Sequence, residues 1–132
     1  IIPVTANNEI VMVRQYRHGS SSLVLEVPGG QVDPGEDPAA AAMRECFEET
    51  GYRAARVHAM ASINPNPALH TALLHSFYAH GVELAGKVQN SATEITEVVL
   101  VPVDSLAEML RSDAIDHALV VATLWRYLHE RG

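Results

Sequence analysis

Three glutamates in the stretch Arg44-Glu45-Cys46-Phe47-Glu48-Glu49-Thr50-Gly51 stand at i, i+3 and i+4, just ahead of a glycine. At about 100° per residue, Glu45, Glu48 and Glu49 share a narrow arc of a helix, while Ala39, Met43, Cys46 and Phe47 fall on the other side. The acids are therefore expected to face away from the core. Each like-charged pair at this spacing costs about 0.2–0.5 kcal/mol, and acids in a last turn also oppose the partial negative charge of the helix end. Local physics argues against such an arrangement unless something positive sits within it. A hard divalent cation, Mg²⁺ with Mn²⁺ as a substitute, reverses the sign because it prefers carboxylate oxygens. The competing reading is a solvated acidic face, the usual fate of a charge run.

The surroundings favour the metal. Pro28-Gly29-Gly30 directly follows a strand candidate, and Gln31-Val32-Asp33-Pro34-Gly35-Glu36 leads on to the helix. Glycines there let backbone approach a ligand closely. A Walker phosphate loop is excluded, since Gly35 is followed by Glu36 and not by Lys with Ser or Thr. Contact with an anionic ligand must then run through metal. The seven histidines show no tight zinc spacing and read as surface or partly buried side chains. Cys46, on the core side and without a clear His partner, reads as a packing residue. Trp125 and Tyr127 read as core or interface residues.

The elements that must hold these residues are mixed. Glu9 to Tyr16 and Leu23 to Val27 are rich in apolar and β-branched residues and predict a hairpin across His18-Gly19-Ser20-Ser21-Ser22. Val57 to Ile63, Leu73 to His80 and Val98 to Val103 are further strand candidates. A helix is predicted over Pro38 to Thr50: Asp37 caps its free N–H groups, Pro38 suits the first position, alanines favour the interior, and Gly51 supplies the left-handed stop. A second helical region runs from Asp104, broken near Ser112-Asp113, with Ile115 to Leu128 spaced to pack across the sheet. This predicts an α/β fold, an α+β arrangement on a mixed sheet.

Composition bounds the function. A chain of 132 residues, 48% hydrophobic, can bury one real core, so one domain over 1–132 is expected. Acidic residues outnumber basic ones 16 to 9, which disfavours nucleic acid as a partner. No apolar run approaches a membrane span, and a single cysteine forms no internal disulfide, so a reducing, cytoplasmic setting is expected. The chain starts at Ile1 without a signal peptide, which suggests a missing N-terminal segment.

Gly30, five residues, Glu36, seven residues, then Arg44-Glu45-Cys46-Phe47-Glu48-Glu49-Thr50-Gly51-Tyr52 resembles the Nudix box, here residues 30–52. Every charged and glycine position of that box is filled; Cys46 and Tyr52 stand where bulky aliphatics are usual. The resemblance implies an α/β/α sandwich and hydrolysis of a nucleoside diphosphate linked to another moiety. It implies Glu45, Glu48 and Glu49 as metal ligands, Glu48 being counted among the catalytic acids as well, with Gly29 contributing its carbonyl. Arg44 and Glu36 would orient these carboxylates without touching substrate. A general base is expected from the polar stretch before the last strand, with Glu94 first and Glu97 second.

The flanks Val13-Arg14-Gln15-Tyr16-Arg17 and Leu25-Glu26-Val27-Pro28-Gly29-Gly30 are similar to the ADP-ribose and nucleotide-sugar pyrophosphatase branch. That similarity implies Arg14 and Arg17 on substrate phosphate, Glu26 on substrate or on a bound water, and Pro67 beside the nucleotide or sugar. The chain departs from the branch in reading Pro65-Asn66-Pro67-Ala68-Leu69-His70 with no glutamate nearby. The expected reaction is metal-dependent hydrolysis of a nucleoside diphosphate sugar to a nucleoside monophosphate and a sugar phosphate. Two alternatives stand: a nucleotide-sugar sensor without turnover, and a hydrolase of nucleoside triphosphates or dinucleoside polyphosphates. A two-fold homodimer is expected on general grounds.

Overall fold

The structure, a computed structural model, describes residues 1–131. In chain order it contains β1 (Ile2–Thr5), β2 (Glu9–Arg17), β3 (Ser22–Glu26), α1 (Pro38–Thr50), β4 (Tyr52–Arg53), β5 (His58–Ile63), β6 (Leu74–Leu84) and β7 (Thr96–Pro102). A short 3₁₀ turn at Val103–Ser105 then leads to α2 (Leu106–Arg111) and α3 (Ala118–Arg131). The strands form one mixed sheet in which β1 and β6 run parallel and every other pairing is antiparallel. Strand β2 lies in its middle, zipped to β7 from Glu9↔Pro102 to Gln15↔Thr96 and to β3 from Val13↔Glu26 to Arg17↔Ser22.

Alternation along the strands divides the core in two, since successive side chains point to opposite faces. Ile10 and Met12 join Ile2, Val4 and Val101 beneath Leu106, Leu110, Ile115, Val120, Leu124 and Tyr127 of the α2–α3 layer. Val11, between them in sequence, turns the other way and meets Cys46 of α1 together with Phe77, Ala79 and Val82. The result is the expected α/β/α sandwich. Each fully buried Leu, Ile or Val contributes about 1.5–3 kcal/mol, so both helical layers are held chiefly by apolar burial.

The predicted helix over Pro38 to Thr50 forms with the expected stops. Asp37 Oδ2 accepts from the Ala40 N–H at 3.2 Å, and the Gly51 N–H reaches the Phe47 carbonyl at 2.8 Å with φ of 75° at Gly51. A side chain on Gly51 would collide with the Gly86 carbonyl as well as strain the backbone. The chain leaving β6 closes this helix end: Ala85 and Gly86 donate to the Gly51 carbonyl, and the Gln89 N–H donates to the Glu48 carbonyl at 2.7 Å. That last bond ties the loop carrying Glu94 to the end of α1.

Several expectations shift. β1 and β4 were not legible as strands, being four and two residues long, and exist through pairing with β6. β6 extends past His80 to Leu84 because Val82 pairs with Thr5 and Leu84 with Tyr52. The expected helix over Ile115 to Leu128 begins instead at Ala118, since Ile115 is spent as a buried plug in the connection, and it continues to Arg131. The break expected near Ser112-Asp113 is present, with Asp113 at φ of 57°.

Candidate active site

Gly29, Gly30, Glu36, Arg44, Glu45, Glu48 and Glu49 gather where α1 meets the loop after β3, and the loop before β7 is tied to the same helix end. Arg44 is the hub. Its Nε and Nη2 donate to the two oxygens of Glu36 at 2.8 and 3.1 Å, Nη1 donates to Glu45 at 3.1 Å and to Glu48 at 3.2 Å, and Nη2 also reaches the Gln31 carbonyl at 3.2 Å. The Asp33 N–H in turn donates to Glu36 at 3.0 Å, so one planar guanidinium holds loop and helix together. Arg44 keeps the Glu36 carboxyl below the usual carboxylate range.

The acids of α1 are not turned into bulk water. The Glu45 side chain is only 16% exposed and Glu48 38%. Burial raises Glu45 above the ordinary carboxylate range, and it lifts Glu49 to about 7, with the charges of Glu45 and Glu94 adding to the rise. The Gly29 N–H donates to Glu49 Oε2 at 3.2 Å, and a methyl placed on Gly30 would overlap the Glu45 carboxylate. Gly29 and Gly30 thus lie directly against the acids. A side chain at Gly30 would push the Glu45 carboxylate aside, whereas Gly29 has open space where a Cβ would stand.

Glu94 carries charge felt at Glu45, Glu49 and Arg17, which brings it into the same neighbourhood. Glu97 belongs to β7, opposite Arg14, and the two form an exposed ion pair at 2.9 Å. Arg17 makes a two-pronged contact with the buried Glu26, Nε to Oε1 at 2.9 Å and Nη2 to Oε2 at 2.6 Å. Its Nη1 stays free. Of the two prolines in the loop before β6, Pro65 lines the adjoining cleft and Pro67 does not.

That cleft, about 510 Å³, runs beside Gly29, Gly30 and Glu45, and its walls come from segments the sequence had not marked: Val32, Ala41, Ala72 to His75, Phe77 and Leu119. No local signal could have found them, because they converge from four separate elements. His75 is oriented by a 2.8 Å bond between its Nδ1 and the Ser62 hydroxyl.

Among the described residues no three or more His, Cys, Asp or Glu are grouped closely enough to hold a metal ion by themselves. The donors nonetheless suit Mg²⁺, which keeps several waters and is bound through one or two carboxylates plus substrate phosphates. Glu45 and Glu49 are both raised chiefly by burial, with the charges of Glu48 and Glu94 adding at Glu45 and those of Glu45 and Glu94 adding at Glu49. No helix among the described residues is long and apolar enough to cross a membrane.

A family model for the NUDIX domain matches residues 1–124. The chain is 30% identical over 135 residues to the methanol dehydrogenase activator of Bacillus methanolicus, covering 98% of this chain and 71% of that protein. It is 32% identical to the ADP-sugar pyrophosphatase of Mus musculus, with coverage of 96% and 63%, and 29% identical to the ADP-ribose pyrophosphatase of Bacillus subtilis, with 85% and 61%. It thus spans less than two thirds of the length of both pyrophosphatases. The crystal structure of an ADP compounds hydrolase shares its fold, with a TM-score of 0.86 at 22% identity over 99% of this chain and 71% of that one. With the box residues converging as described and the family model spanning nearly all of the sequence, the chain belongs to the Nudix family.

Proposed function

We propose that this chain hydrolyses the pyrophosphate bond of a nucleoside diphosphate sugar, giving a nucleoside monophosphate and a sugar phosphate. One observation carries the reading: Glu45, Glu48 and Glu49 share one helix end, with the Gly29-Gly30 backbone laid against them and the charge of Glu94 reaching the same place. The similarity to ADP-sugar and ADP-ribose pyrophosphatases supports the substrate class. Glu45, Glu48 and Glu49 would hold Mg²⁺, with Mn²⁺ as substitute, and the Gly29 carbonyl completes the donor set. When bound, the ion neutralises diphosphate oxygens and acidifies a coordinated water.

The chain's own groups then divide the work. Arg44 spreads its donors over Glu36, Glu45 and Glu48 and so fixes the carboxylates before substrate arrives. Arg17, anchored by Glu26, offers its free Nη1 to a phosphate oxygen. Glu94 accepts a proton from the attacking water, whose oxygen bonds to phosphorus in line as the P–O bond to the leaving phosphate breaks. Glu97 is the weaker candidate for this role, since it is paired with Arg14. A base placed beside the acids favours turnover over a sensor that only binds.

Incubation with ADP-ribose, UDP-sugars, dinucleoside polyphosphates and nucleoside triphosphates in Mg²⁺, followed by chromatography of products, tests the reading. Monophosphate and sugar phosphate in equal amounts are expected, abolished by chelator. Binding without turnover would instead identify the sensor.

A further inference from the structure

The cleft beside Glu45 continues into a slot of about 310 Å³ with which it shares Ile1, Gly29, Gly30, Leu74, His75 and Leu119. The slot shares Arg17 and His117 with a third depression, about 540 Å³, that also takes in His18 and Asp116. One groove therefore passes the Gly29-Gly30 backbone, and its two ends differ sharply in chemistry. The chain has nine Lys and Arg residues, and among the described residues Arg17 alone lines the groove, at the end away from the first cleft.

The cleft end offers no Lys or Arg to an anion. Along α1 it is floored by Pro38, Ala41, Ala42 and Glu45, about 10 Å of helix at 1.5 Å per residue. The opposite wall brings Val32, Pro65, Ala72, Leu73, Leu74 and Phe77. Its polar side chains are Gln31, His75 and Glu45, and His75 has one ring nitrogen engaged by Ser62. The helix start at Pro38 would ordinarily attract negative charge, but the Asp37 carboxylate already caps it through Ala40, and Pro38 has no N–H to give. A carboxylate or phosphate lodged here would meet mostly apolar walls and the Glu45 carboxylate, with only the Gln31 amide and His75 to set against the loss of hydration.

We propose that the cleft along α1 seats an uncharged moiety joined to the diphosphate and discriminates against a substrate bearing a carboxylate or phosphate on that half. The other half, toward His18, Asp116 and His117, has in Arg17 the groove's one Lys or Arg and so penalises an anion less, although Glu26 takes two of the Arg17 donors. This rests on the reading of the site as a pyrophosphatase, and the experiment separates the two.

Two matched pairs place one added negative charge on opposite halves of a substrate: UDP-glucose against UDP-glucuronate, and ADP-ribose against ADP-ribose 2′-phosphorylated on its adenosine. The ratio of kcat/KM within each pair is measured in Mg²⁺. A preference of about tenfold or more for the neutral member is expected in a single pair, the one whose charged half enters the cleft. Leu73, 53% exposed on the cleft wall, is placed so that Leu73→Arg can present a cation without disturbing the core, and it should reduce that preference severalfold. Ratios below about twofold in both pairs, or a preference that Leu73→Arg leaves unmoved, would overturn the proposal. If none of the four compounds is hydrolysed, the pyrophosphatase reading fails. Calorimetric affinities for the same four compounds then give the ratio without turnover and decide the cleft on the same two criteria.

Discussion

Helices α1 and α3 are nearly equal in length, 13 and 14 residues, and cover opposite faces of the same sheet, yet they are built on contrary rules. α3 ends with Arg131, a cation that suits the negative end of a helix, and drives Val120, Leu124 and Tyr127 into the larger core. α1 ends with Glu48 and Glu49 and has no basic residue in its last turn. It buries Ala41, Cys46 and Thr50, small side chains that contribute less apolar area. The difference teaches that one helix is optimised to hold the fold while the other accepts electrostatic strain that Arg44 relieves in part.

That contrast can be broken or sharpened by substitution. Glu94→Gln should lower kcat in Mg²⁺ by about 10²–10⁴-fold with little change in melting temperature, as expected for a general base. A kcat close to that of the wild type would remove Glu94 from the reaction. On the other face, Leu124→Ala should destabilise by about 2–5 kcal/mol in urea titration while kcat per folded molecule stays put. A large loss of kcat there would blur the division of labour.

Arg44→Lys tests the bridge between the two kinds of design. Lysine keeps the charge but not the fork that serves Glu36, Glu45 and Glu48 together, so the Mg²⁺ concentration for half activation should rise about 10–100-fold. If activation by Mg²⁺ is unaltered, the hub is mere scaffolding. Tyr127 gives a smaller effect on the α3 side. Among the described residues its hydroxyl is the one buried side-chain oxygen or nitrogen without a partner, and Tyr127→Phe should stabilise by about 1 kcal/mol. Burial raises the Tyr127 phenol above its ordinary 10.0, so the stability linked to its proton is fully present below pH 10 and is lost as pH climbs through the raised value. Denaturation at alkaline pH should therefore separate wild type from Tyr127→Phe, and parallel curves would dismiss the effect. Least of all, Glu48→Gln should raise the metal-free stability by a few tenths of a kcal/mol through relief of repulsion, measurable in chelator. A fall instead would mean that the Arg44 contact outweighs the repulsion.

How much of this was legible beforehand depended on the range of the interactions involved. Asp37, Pro38 and Gly51 act on their own neighbours, and the helix between them could be read to its final residue. The Gly30, Glu36, Arg44 and glutamate spacing likewise needs only a helix and a preceding loop to bring its members together. β1 and β4 were invisible because a strand of four or two residues has no periodicity to read and is created by its partner in β6. Which proline of the loop before β6 lines the cleft is likewise set by what packs behind it, and Pro65 does so.

By itself the sequence determined the chemistry on offer: hard oxygen donors at one helix end, a glycine pair to approach them, and an arginine at the right interval to bind them. Tertiary structure alone decided how those groups are used. It buried Glu45 and Glu49 enough to raise both, gave Arg17 to Glu26 and Arg14 to Glu97, and assembled an apolar cleft from side chains scattered between Ile1 and Leu119. The reason is physical. Donor type and helical spacing are properties of neighbours along the chain, whereas desolvation and cavity shape depend on distant segments that meet only once the sheet has closed its register.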